Sequence, residues 1–171
     1  MTSMKEPRPM RKQECRITGR EEIRNILETG AICRLGFCEN GVPYVIPINY
    51  GYTYIDDVIT LFFHCAGEGR KIDIIKKNPV VCFEVDCVER LNPNDNPERH
   101  SLKWESIIGS GMIEIVPDFD EKRMMLGNMM KVFRGYNPNY RPTPLTDIRV
   151  HEVTMLKLTL DEFQAKRVMH I

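Results

Sequence analysis

The chain has 171 residues, 42% of them hydrophobic, and its 24 basic residues balance its 24 acidic ones. This length fits one domain that buries roughly 70% of the surface its unfolded chain exposes, enough for a real core. Zero net charge excludes a nucleic-acid footprint or an acidic coat spread over the whole molecule.

The basic cluster Lys5, Arg8, Arg11, Lys12 and Arg16 is diluted by Glu6 and Glu14. It precedes the first periodic segment, so residues 1–15 read as a surface-draped tail and 16–171 as a single domain. No segment approaches the roughly 20 apolar residues of a membrane span, and the N-terminus lacks the pattern of a secretion signal. The expectation is a cytoplasmic protein with neither membrane nor nucleic acid among its partners.

Thr18 and Glu21 have the spacing of a capping box, Ile23, Ile26 and Leu27 fall on one helical face, and Gly30 ends the segment as a C-cap does. Residues 31–38 and 42–54 are rich in strand formers and flank Glu39-Asn40-Gly41, whose Asn-Gly is a strong hairpin signal; the two predict an antiparallel pair. Asp56-Asp57 marks a second turn into a strand over 58–65. A short helix follows from Ile72 to Lys77, and Asn78-Pro79 opens another strand through Val81, Phe83 and Val85.

Residues 91–100 are all turn chemistry and read as a surface loop. A long strand runs from about Trp104 to Val116. Pro117 and Asp118 open a helix whose Met124, Met125, Leu126, Met129, Met130 and Phe133 supply a broad apolar surface, stopped by Gly135. The methionines read as core or interface packing ahead of a cofactor pocket. Residues 135–147 read as a connection, Leu156, Leu158 and Leu160 alternate as a half-buried strand, and 163–169 form the last one. Six or seven strands with hairpin turns and few helices predict a mainly antiparallel sheet rolled into a barrel.

The six cysteines, Cys15, Cys33, Cys38, Cys65, Cys82 and Cys87, contain no Cys-x-x-Cys pair. They read as reduced thiols, and the five-residue spacing of Cys33/Cys38 and of Cys82/Cys87 puts each pair on opposite strand faces, which spoils a shared metal site. No metal is expected.

Two segments carry candidate chemistry. In Gly67-Glu68-Gly69-Arg70-Lys71 a glycine-rich turn links a strand to a helix start, gathering backbone N–H groups, a positive helix end and two cations. That suits a phosphate, although a plain turn followed by solvated cations satisfies the same residues. The turn lacks the third glycine and distal acid of a dinucleotide fingerprint, and no Walker motif is present. In Tyr44-Val45-Ile46-Pro47-Ile48-Asn49-Tyr50 a proline interrupts a strong strand. Such a proline belongs at an edge or a bulge, where it either guards against aggregation or leaves a bed for a planar heterocycle such as flavin.

Taken in order, the N-terminal helix, the segments 33–37, 43–50, 61–71, 78–84 and 106–111, and the Asn-Gly turn resemble the nitroimidazole-resistance (Nim) branch of the pyridoxamine 5'-phosphate oxidase-like flavoproteins. The resemblance covers about residues 11–168. It implies an antiparallel split β-barrel that forms a homodimer with one FMN in each of two interface clefts. By that pattern Arg70 and Lys71 bind the FMN phosphate with His64 close by; Cys65, next in the strand, reads either as a thiol near the same cleft or as a buried inert one. Val45, Ile46, Pro47, Ile48 and Asn49 line the isoalloxazine ring, and Trp104 and Ser106 approach from the other subunit.

The branch implies an FMN-dependent oxidoreductase reducing nitroimidazole-type or other small aromatic compounds. The C-terminal residues 166–171 offer no counterpart to those with which the oxidase members hold pyridoxal-type substrates. His64 is the candidate proton donor, with a structural hydrogen bond as its other role. The alternative class is a flavin- or haem-binding module, with FAD or haem in place of FMN, that serves as a sensor, store or carrier without turnover; one well-placed imidazole among His64, His100, His151 and His170 suffices to ligate haem.

Overall fold

The computed structural model describes residues 9–92, 101–136, 139, 141 and 143–168. The first part of the basic tail, the stretch 93–100 with His100, and Met169 to Ile171 with His170 lie outside the described residues, as does the side chain of Phe133. After a short 3-10 turn at Gln13–Cys15 come β1 (Arg16–Ile17), α1 (Arg20–Thr29), β2 (Cys33–Glu39), β3 (Val42–Ile48), β4 (Gly51–Ile55) and β5 (Val58–Cys65). Then follow α2 (Arg70–Lys77), β6 (Val80–Asn92), β7 (Ser101–Val116), α3 (Phe119–Tyr136), α4 (Asp147–Glu152) and β8 (Thr154–Val168).

All strand pairings are antiparallel, and the sheet runs β3-β2-β6-β7-β8-β5-β4 with β1 added to β8. β3 and β4 do not meet, so the barrel stays split, as the family resemblance implies. Asn40 (φ 52°) and Gly41 (φ 82°) take the left-handed conformations a tight β2–β3 turn needs, and Asp56 and Asp57 do the same between β4 and β5. The β6–β7–β8 meander is the longest part of the ladder, its β7–β8 pairing interrupted by a bulge at Ser110/Gly111.

Five expectations need correction. Residues 42–54 are not one strand: the chain breaks at Asn49-Tyr50, and β3 and β4 end at opposite edges of the sheet. The cause is Tyr50, 2% exposed, whose hydroxyl lies 2.8 Å from the Leu27 carbonyl and 3.0 Å from that of Gly30. It satisfies the carbonyls left open at the end of α1 and so pins the crossing point beneath that helix.

The capping box at Thr18 does not form. Gly19 is the N-cap, its carbonyl accepts from Ile23 N–H, and no side chain caps the helix because Glu22 folds over Gly19 instead. Gly30 does end the helix, donating its N–H to Ile26. The two C-terminal strand segments are one strand, β8, because the bulge absorbs the phase change between Leu160 and Phe163. Residues 147–152, read in part as a connection, form α4, capped by Thr146. α3 runs to Tyr136, past Gly135.

The main core joins Ile23, Ile26 and Leu27 of α1 to Leu35, Phe63, Phe83, Ile107 and Leu158 from the sheet and to Ile72, Ile74 and Ile75 of α2. A second cluster packs Met125, Leu126 and Met129 of α3 with Phe62, Val150 and Met155, the packing role the methionines were read to have. Cys33 is buried while Cys38 is exposed, the opposite faces their spacing predicts.

Replacing the Tyr50 hydroxyl in Tyr50→Phe leaves buried carbonyls at the α1 end without their donor. The expected loss is about 1–2 kcal/mol, read as a lower urea midpoint with an unchanged m-value.

Candidate functional site

β3 is the open edge that the proline-interrupted sequence asks for. Pro43 and Pro47 have no N–H, so a ladder bond is spared only if their nitrogens face away from β2. Val45 lies midway between them and shares their direction, which turns its N–H and C=O to the open edge. The side chains divide: Tyr44, Ile46 and Ile48 pack against the core, whereas Val45 and Pro47 stand on the outer face and Asn49 is exposed. The register continues that face through Gly36, Cys82 and Ser110, and it also carries Val80, Ile108 and Met112, all exposed. In its middle the Arg34 guanidinium is held by both Glu84 and Asp86, which raise its pKa.

β5 leads into the glycine turn and α2. Gly69 is the N-cap with φ 112°, a conformation that L side chains rarely adopt, and its carbonyl accepts from both Ile72 and Asp73 N–H. The amides of Arg70 and Lys71 thus open the helix with no acceptor inside it. Lys71 has no carboxylate partner among the described residues and lies close enough to Cys65 to oppose the rise in thiol pKa that burial causes. Arg70 is more constrained than its sequence context suggests: its Nε donates to Glu39 at 3.0 Å and its guanidinium lies 4.3 Å from the centre of the Tyr44 ring. The stack points Arg70 back over the β2–β3 hairpin, and its two terminal nitrogens make no hydrogen bond among the described residues.

His64, paired with Met155 across the β5–β8 ladder, keeps solvent access. Its pKa is lowered from 6.5, first by desolvation and then by the charge of Arg149. Arg149 comes from α4, whose C-terminal end feeds directly into Thr154 opposite Cys65. Sequence reasoning missed it, together with Glu39 and Tyr44, because only the ladder brings 39, 44 and 149 to the end of β5. The end of β5 thus carries two polar pairs on opposite faces of the strand: His64 with Arg149 on the side of α3 and α4, and Cys65 with Lys71 on the side of the main core.

Trp104 and Ser106 are elsewhere. Three strand spacings of about 4.8 Å separate β7 from β3, roughly 14 Å across the sheet. They line an open cleft of about 1100 Å³ between β1, β7, β8 and the β4–β5 hairpin, with Tyr54, Phe163 and Lys166. Within one chain, Trp104 and Ser106 therefore stand apart from the β3 edge and from the start of α2.

The donor set fits a flavin phosphate at α2: free helix-start amides, an unpaired lysine and the free nitrogens of Arg70. The edge of β3 fits the polar rim of a planar ring. Residues 19–167 match the family model described as pyridoxamine 5'-phosphate oxidase. The chain belongs to this family.

Among solved structures, the chain is similar to a protein provisionally described as a 5-nitroimidazole antibiotic resistance protein from Bacteroides thetaiotaomicron. Identity is 27%, 89% of this chain and 86% of that one are covered, and the TM-score is 0.74. It shares its fold with the flavocytochrome Anf3 of Azotobacter vinelandii (18% identity, 94% and 72% covered, TM-score 0.72). The same holds for an FAD- and haem-binding protein of Mycobacterium smegmatis (19% identity, 89% and 72% covered, TM-score 0.71). An uncharacterized protein of Rhizobium meliloti (strain 1021) is 24% identical over 102 residues, 60% of this chain and 58% of that protein. The chain thus matches somewhat over half the length of that curated relative. Among the described residues no helix is long and apolar enough to cross a membrane, and no group of three or more His, Cys, Asp or Glu residues is placed to hold a metal ion.

Within this family member the state of His64 is testable. Its lowered pKa means the folded chain binds a proton less readily than the unfolded chain, so protonation of His64 takes stability away as pH falls below about 6.5. In an NMR titration the His64 ring should titrate below 6.5, and Arg149→Gln should raise its midpoint without bringing it back to 6.5, because desolvation is the larger cause. An unmoved midpoint in Arg149→Gln would remove Arg149 from the site.

Proposed function

We propose that this chain is an FMN-binding oxidoreductase that works as a homodimer and reduces nitroimidazole-type or other small aromatic compounds. The observation that carries the reading is the open edge of β3 next to the helix-start amides and the two cations of α2. Together they offer a phosphate pocket and a ring bed, separated by the width of the β2–β3 hairpin. Membership in the pyridoxamine 5'-phosphate oxidase family supports the flavin, and the likeness to the Bacteroides protein supports the nitro substrate.

Lys71, the terminal nitrogens of Arg70 and the two amides hold the phosphate, while Glu39 and Tyr44 keep Arg70 from swinging into solvent. Val45 offers one donor and one acceptor to the polar rim of the ring, and Pro47 keeps that stretch of edge from pairing with another strand. Bound flavin supplies hydride and electron transfer.

Desolvation and the charge of Arg149 favour the neutral imidazole of His64, which accepts a hydrogen bond at one ring nitrogen and donates from the other, so its role is to orient ligand. The exposed apolar residues Val45, Val80, Ile108 and Met112 support a second copy of the chain covering the outer face. That arrangement brings Trp104 and Ser106 of one protomer toward the β3 edge of its partner.

A visible absorption spectrum after FMN addition tests the cofactor. Bands of bound flavin are expected; a Soret band after haem addition, or no uptake of flavin, overturns the reading. Anaerobic bleaching by a nicotinamide nucleotide followed by reoxidation with a nitroimidazole separates an enzyme from a carrier. Combined Arg70→Ala and Lys71→Ala should weaken FMN binding, at about 1.5–3 kcal/mol per charge-assisted contact before coupling. Glu39→Gln removes the competing carboxylate and should tighten binding, measured by quenching of FMN fluorescence.

A further inference from the structure

β1 is only two residues long, yet it sets Arg16 directly opposite Lys166 of β8. Direct partners in an antiparallel pair project to the same face with Cβ atoms about 5 Å apart, and like charges placed so are destabilising. Most arginines of the described chain carry a carboxylate: Arg20, Arg24, Arg34, Arg70, Arg123, Arg149 and Arg167 all do. Arg16 and Lys166 have none among the described residues. The register continues the row from Lys166 to Ser106 and on to Asp86, and Asp86 is already bound to Arg34.

Both cations line the cleft between β1, β7 and β8. Ser106 lines it too, 4% exposed, and its hydroxyl has no hydrogen-bond partner among the described residues. Lys166 Nζ lies 5.1 Å from the centre of the Trp104 ring, which holds the charge over an aromatic wall. Of the three acids that line the cleft, Glu162 meets Ser110, Asp57 meets Arg20, and Asp161 sits at the β8 bulge, five residues before Lys166 along the strand. Two opposed cations without a carboxylate partner among the described residues, the Ser106 hydroxyl and an indole face thus line one open volume.

We propose that this cleft binds a small aromatic anion, with its carboxylate or phosphate between Arg16 and Lys166, a hydrogen bond from Ser106, and its ring against Trp104. The repulsion between the two cations is relieved when the anion arrives. The anion site is complete within one chain and uses neither Arg70 nor Lys71; it shares Trp104 and Ser106 with the flavin reading, and on that reading it lies beside the partner's cofactor. If both sites are filled in a dimer, the aromatic anion lies on the partner's side of the cofactor, where a substrate belongs.

Trp104 is the chain's sole tryptophan, so its indole N–H gives one resolved signal in a nitrogen-15 correlation spectrum. Titration of the full chain with 4-nitrobenzoate should shift that signal saturably, and the uncharged nitrobenzene should bind on the order of tenfold more weakly. Arg16→Gln with Lys166→Gln should lower 4-nitrobenzoate affinity by on the order of tenfold and raise the melting temperature of the ligand-free protein by removing the like-charge pair. Arg70→Ala with Lys71→Ala should leave 4-nitrobenzoate binding unchanged. Equal affinity for the charged and neutral probes, full affinity in the Arg16/Lys166 variant, or dependence on Arg70 and Lys71 overturns the proposal. FMN uptake is measured in parallel: flavin binding without a Trp104 shift sinks the anion site alone, and a Trp104 shift without flavin binding sinks the flavin reading alone.

Discussion

Tyr50 sits where the chain leaves one edge of the sheet for the other. Its hydroxyl reaches the carbonyls at the end of α1, 2.8 Å from Leu27 and 3.0 Å from Gly30, in a spot with almost no solvent. A buried carbonyl without a donor is expensive, so the helix end and the crossing point are locked together. Because the crossing is fixed there, β3 remains an edge strand and β4 starts the hairpin that delivers β5, the glycine turn and α2. The open barrel and the polar residues at the end of β5 both follow from that one break.

Charge is handled differently in the two halves of the molecule. Arg167 is held by the buried Glu105 and by Glu22, and it ties α1 to the far end of the β7–β8 ladder. Lys157 is shared between Glu114 and Glu121, and Arg123 binds Asp147, which fastens α3 and α4 to the sheet. These pairs are partly exposed and contribute modestly, but they use up nearby charges. The cations left over are therefore informative. Lys71 stands at a helix start, and Arg16 and Lys166 sit side by side on paired strands; on the readings proposed above, an external anion completes the electrostatics at each.

Much of this was legible from residues in a row. Asn40-Gly41 and Asp56-Asp57 announced their hairpins because the left-handed backbone they need is a local property. Ile23, Ile26 and Leu27 announced α1 through their spacing, and Met125 and Met129 announced a packed face of α3. Thr18 misled, since a capping box needs the helix to begin one residue earlier and Glu22 had folded over Gly19. Residues 147–152 were hidden because a short helix has too few turns to show a period. Arg70 was found as a cation at a helix start, but its stacking on Tyr44 and its bond to Glu39 were not, for those partners are 26 and 31 residues away.

By itself, then, the order of residues determined the local conformations and the chemistry on offer: which turns are tight, which strand cannot pair on one side because of Pro43 and Pro47, and which helix begins with two cations. Backbone dihedrals and missing N–H groups are properties of one or two residues, so no distant partner is needed to read them. The tertiary structure decided what meets what. It set Arg149 beside His64, Glu39 and Tyr44 on Arg70, and Arg16 across from Lys166, and it held Trp104 away from Val45 within one chain. Those distances depend on ladder register and on the sheet order β3-β2-β6-β7, which residues far apart in sequence settle jointly when the core closes.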